Sequence, residues 1–140
     1  MAKTYLVETA FGILALNEQE EIIDKTLYPK DPEKASLLAL QAEKGEVSSQ
    51  LEALVRRLAE KGFDRFVLEN ERLAEALREK LKVSVEVESP SRAGEQVREN
   101  LADIAVKLGF VDSQEAFYSF LREVSTWISR LKVREAAARK

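Results

Sequence analysis

The first 28 residues set the strongest limit on the fold. Three short apolar runs follow one another there: Thr4 to Phe11 (TYLVETAF), Ile13 to Leu16 (ILAL) and Glu21 to Tyr28 (EIIDKTLY). Gly12 permits a tight reversal between the first two, and Asn17-Glu18-Gln19-Glu20 forms a polar turn before the third. Connections this brief cannot cross over a sheet, so the runs pair as an antiparallel meander. Pro29-Lys30-Asp31-Pro32 ends strand pairing, with Asp31 placed as an N-cap and Pro32 at the first helical position.

Helical spacing takes over from there. A first helix carries Leu37, Leu38 and Leu40 and ends at Gly45. A second opens at Ser49, where Glu52 completes a capping box, and buries Leu51, Leu54, Val55 and Leu58 before Gly62 stops it. The stretch RFVLENE (65–71) is a fourth strand, and Asn70 caps a helix with the stripe Leu73, Ala74, Leu77 and Leu81. Val83, Val85 and Val87 alternate with Ser84 and Glu86 as a fifth strand with one wet face. Ser89-Pro90-Ser91 opens a further helix, with Pro90 near its first turn, Gly94 weakening it and a break near Asn100; Val97, Leu101, Ile104, Ala105 and Leu108 form its apolar face. Asp112 with Glu115 repeats the capping signature and starts a long terminal helix. The expected fold class is α/β: a mixed five-stranded sheet, an antiparallel three-strand meander plus two parallel strands in ribonuclease H-like order. Helices flank it and a long C-terminal helix closes the chain. The expected division is an α/β domain over 1–111 and a helix leading into a truncated coiled coil over 112–140.

Composition narrows the chemistry. Cys and His are both absent, which removes thiol nucleophiles, thiolate metal sites and the commonest general base. Twenty-two basic against 25 acidic residues leave a net charge of -3, unsuited to a principal nucleic-acid binder. No apolar run approaches the roughly 18 residues of a membrane span, and the chain is expected in the cytoplasm. A metal-dependent nuclease of ribonuclease H-like form needs three or more converging carboxylates to bridge two cations. Glu8 and Glu69 fall near two such places, but no further Asp or Glu stands out, and no glycine-rich phosphate loop follows the first strand.

Binding is the stronger reading. Two helices are expected to start at one end of the sheet, after the parallel fourth and fifth strands, where open α/β sheets keep their sites. Glu69, Asn70, Arg92, Glu95 and Arg98 gather there as candidate partner-binding residues. Locally, Asn70 also serves as a cap and Glu71 suits a first helical turn. In the last helix Phe117, Phe120, Val124, Trp127 and Leu131 form a heptad stripe, widened by Leu121 and Ile128. Phe117, Phe120, Leu121 and Val124 are expected to be buried, and the helix beyond Val133 solvated. Residues 128–140 hold Arg130, Lys132, Arg134, Arg139 and Lys140 against Glu135 alone. A helix that turns basic and Ala-rich in this way reads as the start of a longer coiled coil, or as the surface of a homodimer.

Several stretches in order resemble one family: YLVETAFGILALNE, YPKDPEK, KGE, AEKGFDRFVLENERLAEAL, ESPSRAGEQVRENL and SRLKVREAAARK. The chain is similar to the N-terminal domain of the archaeal Nop-family scaffold of box C/D ribonucleoprotein 2′-O-methyltransferases. That resemblance implies a non-catalytic domain that binds fibrillarin, the partner that would carry S-adenosylmethionine. The chain itself would need no cofactor. Self-association through a coiled coil, and engagement of guide RNA with a kink-turn-binding protein, would belong to parts of such a scaffold not represented here. Direct RNA binding is not expected from this domain.

Overall fold

A computed structural model describes residues 2–139; expectations that touch Met1 and Lys140 lie outside the described residues. Five strands form one sheet in the order β3-β2-β1-β4-β5. The meander is β1 (Ala2–Thr9), β2 (Gly12–Leu16) and β3 (Ile22–Leu27), antiparallel throughout, and β1 pairs in parallel with β4 (Phe63–Leu68), which pairs in parallel with β5 (Ser84–Val87). This is the expected fold class. Gly12 is the first residue of β2, at φ 152, and a Cβ there would run into the Thr26 carbonyl oxygen. The reversal itself falls on Ala10 and Phe11.

Leu6 and Val7 are adjacent in β1 and point to opposite faces, yet both are buried, so helices cover the sheet on both sides. The helices are α1 (Pro32–Glu43), α2 (Ser49–Glu60), α3 (Glu71–Leu81), α4 (Arg92–Glu99), α5 (Leu101–Lys107) and α6 (Gln114–Ala138). The break between α4 and α5 falls at Asn100, as the sequence suggests. Asp31 caps α1 by accepting from the Glu33 and Lys34 N–H groups, with Pro32 behind it. Gly62 takes φ 100 just past α2.

Three caps fall one or two residues from where the sequence places them. Ser48, not Ser49, caps α2 and accepts from the Leu51 N–H, so Glu52 sits outside the capping-box position. Ser113, not Asp112, caps α6. Ser91 caps α4, so Pro90 precedes the cap rather than entering the first turn. Where two candidate caps are neighbours, the apolar face that must meet the core decides between them.

Side chains correct two more expectations. Helix α1 turns its small residues Ala35, Ser36 and Ala42 inward together with Leu40, leaving Leu37 43% exposed. On α6, Phe117, Phe120 and Val124 are buried, whereas Leu121 is only partly covered at the flank of the stripe. An aromatic chain ties that helix to the meander: Phe11 meets Phe110 at 5.2 Å and Phe117 at 5.6 Å, and Phe110 meets Phe120 at 4.9 Å. Beyond Val124, α6 lies along α1, with Lys44–Glu135 at 2.8 Å and Lys132–Glu43 at 3.6 Å. Its outer face is wet, and Val133 is 69% exposed. No helix among the described residues is long and apolar enough to cross a membrane.

Candidate functional site

The parallel strands β1, β4 and β5 end on the same side, and α3 and α4 start there. Leu68 is the last buried residue of β4. Asn70 then leaves the strand with φ -90 and ψ 111, and its Oδ1 accepts from the Leu73 N–H at 3.2 Å. Its Nδ2 donates to the carbonyls of Ala42 (3.0 Å) and Glu43 (3.2 Å) at the end of α1. One side chain therefore satisfies an orphan N–H at the start of one helix and binds the last carbonyls of another. The cap role is legible in the sequence; the link to α1 is not.

Glu69 is held from inside the domain. Its carboxylate accepts from the Ser91 N–H at 2.6 Å and from the Arg98 guanidinium at 2.8 and 3.1 Å. Ser91 is buried, and its Oγ accepts from the Gly94 N–H at 2.9 Å. The carboxylate thus occupies the N-terminal end of α4, where a helix favours an anion. Gly94 is what lets it approach, since a Cβ there would lie 2.7 Å from both Glu69 oxygens. The glycine that weakens the helix pattern has a packing reason. Hydrogen bonds from Arg98 hold the Glu69 carboxyl below its ordinary value against the opposing effect of burial, and the Ser91 N–H adds to them.

Glu8 behaves in the opposite way. It lies half-buried near the end of β1, and burial pushes its carboxyl above the ordinary value; the Asn70 amide opposes this, while the charges of Glu43 and Glu69 reinforce it. Tyr28 is buried, and burial together with the charge of Glu8 pushes its phenol upward. It therefore gives no apolar surface to this edge. The exposed apolar residue here is Val87, at 41%, which ends β5 opposite Leu68.

The candidate residues divide accordingly. Glu69, Asn70 and Arg98 come together, Glu69 and Asn70 with their polar groups turned to the chain itself. Arg92 sits on the first turn of α4 with its side chain 88% exposed, and it meets Glu20 at 2.7 Å. Glu95 is exposed, one helical turn before Arg98. The sequence reading missed Ser91 as a donor and Gly94 as a seat; a glycine inside a helix that starts beside a strand end was the signal. Among the described residues no group of three or more acidic side chains is arranged to hold a metal ion. The carboxylate cluster that a two-cation nuclease needs does not form around Glu8 and Glu69.

A family model, the archaeal Nop5/56-related N-terminal domain, matches residues 3–134. This chain belongs to that family. Among solved structures it is similar to the Nop N-terminal domain of Methanocaldococcus jannaschii, at 17% identity and a TM-score of 0.58. The match covers 95% of this chain and 98% of that one, and it supports the fold. No curated protein matches.

Proposed function

We propose that this domain is a non-catalytic scaffold of a box C/D guide ribonucleoprotein that binds fibrillarin and holds this methyltransferase over its RNA substrate. Membership of the Nop N-terminal family across residues 3–134 carries the reading. The scaffold contributes position, and the partner contributes S-adenosylmethionine and the reaction. The proposed docking face is the edge where β4 and β5 end.

The geometry supports a division of labour on that face. Glu69 and Asn70 set the angle between the sheet and the two helices, because their polar groups are used internally. Arg92, Glu95 and the outer side of Arg98 form a charged rim, and Val87 supplies apolar surface beside it. Rim charges contribute little each, while a buried apolar anchor contributes more. Calorimetric titration with fibrillarin tests the assignment. Val87→Asp is expected to weaken binding about tenfold or more, and Arg92→Glu by less than about fivefold, both with the parent's melting curve. Unchanged affinity in both variants would move the site to another face.

A further inference from the structure

Each open edge of the sheet carries an arginine from the helix beside it. On the β3 side, the Tyr28 N–H donates to the Phe11 carbonyl at 2.9 Å, which makes that pair a hydrogen-bonded one. Antiparallel pairing alternates, so Thr26 and Asp24 face β2, and the backbone groups of Lys25 point outward to where a sixth strand would add. Both are already taken. The Lys25 N–H donates to the Asp24 Oδ1 at 2.8 Å, and the Lys25 carbonyl accepts from the Arg57 Nη2 at 3.2 Å. The same guanidinium binds both Asp24 oxygens at 3.2 Å.

The β5 edge repeats the arrangement with different residues. The Glu88 N–H donates to the Leu68 carbonyl at 2.9 Å, so Glu88 and, two residues earlier, Glu86 face β4. Val85 and Val87 therefore turn their backbone groups outward. The Val85 carbonyl accepts twice from Arg78, at 3.0 Å from Nε and 2.8 Å from Nη2. Arg57 comes from α2 and Arg78 from α3, and both are exposed at the surface.

We propose that Arg57 and Arg78 are edge guards, which occupy the outward acceptors of β3 and β5 and so keep a second copy of this chain from adding to the sheet by strand pairing. An uncovered edge is a template for another strand, and short, irregular or charged edges blunt it. The rest of both edges fits that pattern. The register of β2 on β3 skips Ile23, passing from Ala15↔Asp24 to Leu16↔Ile22, and β5 is only four residues long. Guanidinium suits the task because two N–H groups lie in one plane and can saturate a carbonyl, as at Val85. An incoming strand at β3 would also strip Asp24 of its partner.

The test uses the full chain, with Arg57→Ala, Arg78→Ala and the double variant followed by light scattering over a wide concentration series. Each change makes the net charge of -3 more negative, so association would run against charge repulsion rather than with it. The double variant is expected to associate about tenfold more readily than the parent, with the outward amides of the pairing edge, Val85 and Val87 on β5 or Lys25 and Leu27 on β3, gaining protection from hydrogen exchange as it does. Arg78→Met, which keeps the stem and loses the donors, replaces Arg78→Ala if that variant melts. The proposal is overturned if the variants match the parent in mass and exchange at every concentration. It is equally overturned if they associate while the outward amides of both edges, Lys25 and Leu27 on β3 and Val85 and Val87 on β5, exchange as in the parent.

Discussion

At the end of β4, Glu69 meets Arg98; along α1, Lys44 meets Glu135. Both ion pairs close to 2.8 Å. Around Glu69 the contact has company: the Ser91 N–H, the floor made by Gly94 and the start of α4, on backbone fixed by the sheet. Around Glu135, on an exposed stretch of α6, the partners are flexible cations: Lys44, Arg139 and Lys132. Distance does not measure what a pair contributes. The number of partners that cannot move away does, because a rigid partner adds no ordering cost while two free side chains add most of it.

The largest expected effect lies at the rigid junction. Glu69→Ala leaves the Ser91 N–H and Arg98 without their acceptor and should cost about 2–3 kcal/mol, since bonds to charged groups are the costlier ones to lose. At about 3 °C per kcal/mol for a chain of this size, the thermal melt should fall by roughly 6–9 °C. A melt within a degree of the parent would erase the contrast between the two regions.

Gly94→Ala sharpens it through a change of sign. In the parent the new Cβ would press on the pinned Glu69 carboxylate, so a loss of about 1–2 kcal/mol is expected despite the better helix propensity. In the Glu69→Ala background the obstruction is gone, and the same substitution should stabilise by up to about 1 kcal/mol. A double-mutant cycle measures this directly. Equal effects in both backgrounds would mean that the carboxylate does not rest on Gly94.

Acidity separates Glu69 from its neighbour Glu8. Glu69 is held below its ordinary value of 4.5, so its contribution is present above that pH and is lost as pH falls through the lowered value. Glu8 is held above 4.5, so its contribution is present below that pH and is lost as pH rises through the raised value. Glu8→Gln should therefore raise stability at neutral pH by about 1 kcal/mol or less and change little at or below pH 4.5. Urea melts at a series of pH values check this; a variant less stable than the parent at pH 7 would mean that Glu8 is held by a partner instead.

The smallest effect is expected on α6. Lys44→Ala should leave the melting temperature unmoved and speed hydrogen exchange only after Val124, where the helix keeps a wet outer face. A clear drop in the melt would show that the pairs along α1 anchor the helix as firmly as Phe117 and Phe120 do.

The same contrast explains what could be read from the sequence. The meander was legible because turns of a few residues leave one way to pair, and α2 and α3 because Leu51, Leu54, Val55 and Leu58, then Leu73, Ala74 and Leu77, repeat at helical spacing. The cap of α2 slipped by one because Ser48 and Ser49 are equally good caps, and only the packed face separates them. That Glu69 and Arg98 share one end of the sheet was legible from the parallel strands; that they bind each other was not. Arg98 lies 29 residues away, and their meeting depends on where α4 crosses the sheet, which no local pattern encodes. The Glu69 carboxylate, a candidate partner contact in the sequence, is a tie within the chain. The inward face of α1 was not legible either: close packing against neighbours favours Ala35, Ser36 and Ala42, and the larger Leu37 is left outside.

The proposed docking of fibrillarin on the end of β4 and β5, with Glu69 holding that end in shape, leaves a footprint on the backbone amides. Amide hydrogen exchange of the domain, alone and saturated with fibrillarin, tests it most directly. New protection is expected from Val87 through Asn100, with little change along α2 or the outer face of α6. Protection confined to α1 and α6, or none anywhere in the presence of fibrillarin, would contradict it.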